Sequence, residues 1–319
     1  MRASLVFVAG ALLATGCEKA GPTASGKLSD DETELMSRLP NNVGLAFGGN
    51  LPRLQKHLAD SPIMKFARVG NEMVSGTNAW QDCLAEKKFK NMLGTVDVRD
   101  GFELKFLMTG LDMDDLVGCA KHAKMKYELD SDNKFIAIEI VGPNIKTKLP
   151  YLVLSDGAIY GNYSFNISGG DVDFQETNRT QMENEIVATK KDNATHNEKL
   201  LATMEKADRK MGMWFAGSAE EGTLIGDKVH EVFGSLDLEG GLDVDATVQM
   251  ADKRFTGQVM DSIDSARDSA RLLGPELKQV LNGLTVKRDG DRIWFKLKVS
   301  NRQLNDLFDK FGSMMGAFE

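Results

Sequence analysis

Basic residues never cluster in this sequence: 39 Lys and Arg stand scattered among 47 Asp and Glu, giving a net charge of −8. Neutralising a phosphate backbone needs a basic stripe or patch, so nucleic acid is excluded as a partner. Catalytic signatures are missing too: there is no GxSxG, no HExxH and no EF-hand loop. Their absence removes the nucleophile-elbow hydrolases, the zincins and the calcium sensors. Cysteine is scarce, with three residues, Cys17, Cys83 and Cys119. The one apolar run, from about Leu5 to Ala14, is shorter than the about 20 residues a membrane-spanning helix requires.

What is present begins with that run. Arg2, the apolar stretch and then Thr15-Gly16 have the layout of an export signal over residues 1–16. Leu13-Ala14-Thr15-Gly16-Cys17 resembles the lipobox of bacterial lipoproteins, with Ala14 where that family usually carries leucine. The resemblance implies cleavage before Cys17, acylation of that cysteine and a membrane anchor; ordinary cleavage leaving a free or paired Cys17 is the alternative. Glu18 is not the aspartate that, by analogy with enteric lipoproteins, retains a protein in the inner membrane, so outer-membrane sorting is implied. Residues 17–31 then read as the lipidated end and a polar Gly/Ser/Pro tether. Setting Cys17 aside leaves Cys83 and Cys119 in a chain bound for an oxidising compartment, and one disulfide is the expectation. Metal ligation together with Asp82 and His122, and two free thiols, are the alternatives.

Internal similarity organises the rest. At an offset of 168, Met36 to Asn50 lies over Met204 to Ser218, with identities at Met36/Met204, Gly44/Gly212, Phe47/Phe215 and Gly49/Gly217. Each copy continues in the same order. An amphipathic helix follows, Leu51, Leu54 and Leu58 in one copy and Leu224, Ile225, Val229 and Val232 in the other. Next come a hairpin, Leu93–Val98 with Phe102–Gly110 against SLDLEGGLDVDATVQM, and a second helix, opened by Asp112 in the first copy and running from Phe255 to Leu273 in the second. Strands with turns at Asp130–Asn133, Asp156-Gly157 and Asp289-Gly290 close each copy. This pattern predicts an α+β fold of two repeated units, 32–163 and 194–319, each an antiparallel sheet with helices on one face. The segment 164–193, rich in amides, reads as a linker or long loop, and residues 301–319 as an amphipathic helix.

Gly44, Gly48 and Gly49 fit neither a dinucleotide fingerprint nor a P-loop; ending a strand and turning into a helix explains them. Ser131-Asp132-Asn133-Lys134 contains overlapping SxxK and SDN strings, but in one turn and without KTG, which is not the acyl-enzyme arrangement. His57, His122, His196 and His230 fall on predicted helices beside charged neighbours, and Asp243 and Asp245 read as a solvent-facing strand edge. No catalytic residue, metal site or cofactor is assigned.

The layout as a whole, with its lipobox, an opening strand such as VGLAFGG, and a cysteine before the hairpin matched by one in the following helix, resembles a loosely defined group of duplicated α+β lipoproteins from myxobacteria-like Gram-negative bacteria. That resemblance implies location and architecture, and pairing of Cys83 with Cys119. The expectation is a membrane-anchored, non-enzymatic binding or structural protein of the envelope, facing the periplasm or the cell surface, whose partner is an envelope protein or a small ligand. A hydrolase or ligand carrier with its site between the units is the alternative, and self-association through an exposed sheet a third expectation.

Overall fold

The computed structural model describes residues 24–41, 43–58, 61–63, 76–97, 102–142, 145–168, 171–218, 228–271 and 274–315. They form an α+β fold on one sheet of 13 strands, antiparallel at each pairing. In chain order these are β1 (Leu45–Asn50), β2 (Asn91–Asp97), β3 (Phe102–Met108), β4 (Tyr127–Leu129), β5 (Phe135–Gly142), β6 (Ile145–Val153), β7 (Ile159–Ser168) and β8 (Asp171–Gln175). The second half adds β9 (Met213–Ser218), β10 (Val229–Asp237), β11 (Gly241–Met250), β12 (Leu284–Asp289) and β13 (Arg292–Ser300). Across the sheet the order is β12-β13-β11-β10-β9-β1-β2-β3-β7-β6-β5-β4, with β8 paired to the end of β7.

The two opening strands, expected to start separate sheets, pair with each other. Phe47 lies opposite Phe215, Leu45 opposite Gly217 and Gly49 opposite Met213. Phe47 thus meets the residue related to it by the offset of 168, and strand order reads alike outward from this seam. An opening strand, two hairpin strands and a strand of the closing hairpin follow in each direction.

Rings and glycines alternate across the seam. Phe47 faces Gly94, Gly94 faces Phe106, and Phe106 faces Gly161; on the other side Phe215 faces Gly234. A Cβ on Gly94, Gly161 or Gly234 would collide with the ring of Phe47, Phe106 or Phe215 respectively, so each aromatic lies flat over a neighbouring strand's bare backbone. On the opposite face the ring of Trp214 covers Gly48 in the same way. Gly48 and Gly49 therefore lie inside β1 rather than in a turn, and helix α2 (Leu51–Leu58) begins directly after the strand.

Helices cover both faces at the centre. On one face α1 (Asp30–Met36), α5 (Arg179–Thr189) and α6 (Glu198–Met204) press Met36, Met182, Leu200 and Met204 onto Ala46, Leu93, Leu107, Tyr160 and Trp214. On the other, α3 (Thr77–Ala85) and α4 (Met113–His122) pack Trp80, Leu116 and Cys119 over Phe106, Ile138 and Ile159. That second face continues into the other half, where α7 (Lys253–Arg271), α8 (Pro275–Asn282) and α9 (Asn301–Met315) bring Ile263, Val280 and Leu304 onto Leu284, Leu297 and Val299. Each fully buried aliphatic side chain contributes about 1.5–3 kcal/mol. One-faced packing holds for the helices inside each unit. It fails for α1 and α6, which lead into the opening strands, because those strands are apolar on both sides.

Two further expectations change. Residues 164–193 are not a linker: they hold the end of β7, β8 and α5, which opens on a capping box between Asn178 and Gln181. Val229 and Val232, read as helical, lie in β10, as does His230, while Leu224 and Ile225 are outside the described residues.

Candidate functional site

Besides the pairing of β1 with β9, a second feature that joins the halves lies just before α1. There the chain crosses to the second half, the Ser25 N–H donating to the Ala207 carbonyl at 3.1 Å and the Gly26 N–H to that of Glu205 at 3.2 Å. Arg209, with a side chain only 4% exposed, clasps this strap. Its Nη2 donates to the carbonyls of Gly26 (3.0 Å) and Lys27 (2.8 Å), its Nη1 to that of Met204 (2.7 Å), and its Nε to Glu32 Oε1 (2.9 Å). Glu32 also completes the capping box with Ser29, so one carboxylate fastens both the helix start and the clasp. Residues 25–29, expected to belong to a free tether, are thus bound to the body.

Between the strap and the ends of β1, β2 and β9 lies a cleft of about 330 Å³. Gly49, Asn50, Asn91, Met92 and Leu93 line it from the first half, Arg209, Lys210 and Trp214 from the second, and Lys27, Asp31 and Leu35 from the strap and α1. It occupies the junction where the sequence placed an alternative site between units. Asn50 and Asn91 are there because each ends or begins a strand at the seam, opposite one another in register. Arg209 and Glu32 neutralise each other, whereas the side chains of Lys27, Lys210 and Asp31 are exposed and have no ionic partner among the described residues.

Two other polar clusters are built on the same face of the sheet. Asp245 Oδ1 accepts from the Trp294 indole N–H at 2.7 Å. Burial pushes its carboxyl up to about 6, with Asp243 and Asp208 adding to the rise and the Trp294 N–H and Lys296 opposing it. Asp245 is therefore half-buried rather than a solvent-facing edge residue, because Trp294 on the neighbouring β13 shields it. Under α5, Glu185 accepts from the Tyr160 hydroxyl (2.9 Å) and the Asn162 amide (2.8 Å) beside Lys105. This cluster ties α5 to β3 and β7, and its legible trace was the Asn178/Gln181 capping box of the helix that carries Glu185.

Cys83 and Cys119 form a disulfide, with Cα atoms 5.4 Å apart; it links α3 to α4 within the core beside Trp80. Cys17 and the export signal lie outside the described residues. The Ser131 turn is structural: Asp130 accepts the N–H groups of Lys134 and Phe135, and Arg179 pairs with both Asp130 and Asp132. The Arg179 contact holds the Asp132 carboxyl down at about 2. Among the described residues no group of three or more His, Cys, Asp or Glu side chains is placed to hold a metal ion, and no helix is long and apolar enough to cross a membrane.

No protein-family model matches the chain, and no curated protein matches it. Two crystal forms of TP0453 are similar in structure. Form III covers 85% of this chain and 96% of its own at 8% identity with a TM-score of 0.48, and form I covers 86% and 96% at 7% identity with a TM-score of 0.45.

Proposed function

We propose that this protein is a membrane-tethered binding protein of the cell envelope, anchored through lipid on Cys17 and acting without catalysis. The observation that carries the reading is the strap. The body takes hold of the chain at Ser25, so the stretch between Cys17 and the body spans at most about 28 Å even when fully extended. A folded body gripping its own leader this close to the candidate acylation site suits a protein held against a bilayer. A disulfide between Cys83 and Cys119 suits an oxidising compartment. The cleft at the seam supplies the place where such a protein binds something: it is concave, mixed in polarity, and shared by both halves.

The test is mass spectrometry of the mature N-terminus together with detergent-phase partition of the intact protein. Acyl mass on Cys17, and loss of membrane partition in Cys17→Ser, are expected. A mature chain that starts elsewhere, or that carries no acyl mass, removes the anchor from the proposal.

A further inference from the structure

We propose that the cleft at the seam binds the phosphate-bearing headgroup of a membrane phospholipid. The inference rests on the tethered reading above for the source of its ligand, and on the cleft itself for the chemistry.

Charge comes first. Of the ionic groups lining the cleft, Arg209 and Glu32 are spent on each other and on the strap carbonyls. Two ammonium groups, Lys27 and Lys210, remain without an ionic partner among the described residues. Lysine serves phosphate as a mobile point charge. The carboxamides of Asn50 and Asn91 line the same cleft and can donate to the remaining phosphate oxygens. One carboxylate, Asp31, is also unpaired and matches a headgroup amine.

The apolar wall points to lipid rather than to a free anion. Leu35, Leu93 and Trp214, all from the core on this face of the sheet, line the cleft, and a fully hydrated anion gains nothing from them. Position agrees: the strap that forms another side is the segment nearest Cys17, so the anchor holds the mouth within reach of the headgroup layer. The net charge of −8 over the whole sequence argues against a general electrostatic attraction to anionic membranes and for a local site.

The experiment uses protein purified from membranes with its native N-terminus, in maltoside detergent, titrated calorimetrically with dihexanoyl-phosphatidylethanolamine, phosphoethanolamine and inorganic phosphate. Saturable binding of the short-chain lipid is expected, with weaker binding of phosphoethanolamine and weaker still of phosphate. Lys27→Ala and Lys210→Ala should each reduce lipid affinity about tenfold. Both residues are exposed, so folding is preserved, and Lys199→Ala on α6 serves as a control that should change nothing. Phosphate binding as tightly as the lipid would overturn the lipid assignment, and lipid binding unaffected in the double lysine variant would overturn the site. Because the titration does not require acylation, repeating it on Cys17→Ser separates failure of the cleft from failure of the anchor.

Discussion

Replacing Arg209 with methionine isolates the strap. The substitution keeps most of the buried apolar stem and deletes the guanidinium, which makes four hydrogen bonds, one of them to the Glu32 carboxylate. Summing four charge-assisted bonds at 1.5–3 kcal/mol each overstates the loss, because the freed carbonyls of Gly26 and Lys27 can turn to water once the strap lifts. The upper limit is what holds the strap otherwise: two backbone hydrogen bonds and the Arg209 backbone N–H to Ser25 Oγ, at about 1 kcal/mol each, and the packing of Leu28 against the central core, about 1.5 kcal/mol more. A loss of about 3 kcal/mol lies within that limit, confined to residues 25–32. Native-state hydrogen exchange reads it directly, since the Ser25 and Gly26 amides should exchange about 100-fold faster while the β1 and β9 amides stay protected. Arg38→Met, which removes the ion pairs of Arg38 with Glu34 and Asp156, should leave Ser25 and Gly26 unchanged. Unaltered exchange at Ser25 and Gly26 in the Arg209 variant would refute the clasp.

Removing the disulfide with Cys83→Ser and Cys119→Ser, at a sequence separation of 36, should lower stability by about 4 kcal/mol in the chain-entropy model, read by urea denaturation with and without reductant. Asp245 binds its proton more tightly folded than unfolded, so its contribution is present below about pH 4 and is lost as pH rises through about 6. The gap from 3.8 to about 6 is worth about 3 kcal/mol in full and about 1 kcal/mol after solvent screening of a half-buried group. Asp245→Asn, which keeps an acceptor for Trp294, should therefore be the more stable protein at pH 8 and equal at pH 4 in thermal melts. Gly94→Ala should cost about 2 kcal/mol by forcing the Phe47 ring off the strand. Part of that loss should return in the double variant with Phe47→Leu; strict additivity in the cycle would deny the ring-on-glycine contact.

Periodicity and turn residues carried most of the architecture. Alternation in Phe102–Met108, the Gly240-Gly241 and Asp289-Gly290 turns and the Asp112 cap each led to the element found there. Errors arose where local pattern and burial part company. Polar residues on α5 hid a helix that needs only Met182 and Ile186 to hold the core, and its capping box was the overlooked signal. Val229 and Val232 satisfy a helical spacing as well as a strand one, and the strand won because β9 and β11 flank them. The site was less legible still. Nothing near Arg209 announces that its guanidinium closes on carbonyls about 180 residues earlier in the chain, and the glycines of β1 suggest a turn until the Trp214 ring is seen over Gly48.

The offset of 168 also relates the cleft to the other end of the seam. Positions so related to its lining are Ser218 for Asn50, Ala46 for Trp214, and Thr203 for Leu35; Ser218 and Ala46 lie at the opposite end of β9 and β1, and Thr203 on α6. An ion pair stands at that end. Lys206, the counterpart of Arg38, reaches across to Glu231 at 2.5 Å, Thr203 adds a contact to the same carboxylate, and Ser218 and Glu231 are buried beneath them. Among the described residues no strap reaches that end, and a methyl at Ala46 stands where the cleft has an indole. The two ends of the seam therefore differ in side chains: an ion pair spans one, and the strap clasped by Arg209 borders the cleft at the other. Lys206→Ala should consequently loosen the ion-paired end and leave the cleft's lipid affinity unaltered. A loss of that affinity would show that the two ends act together rather than independently.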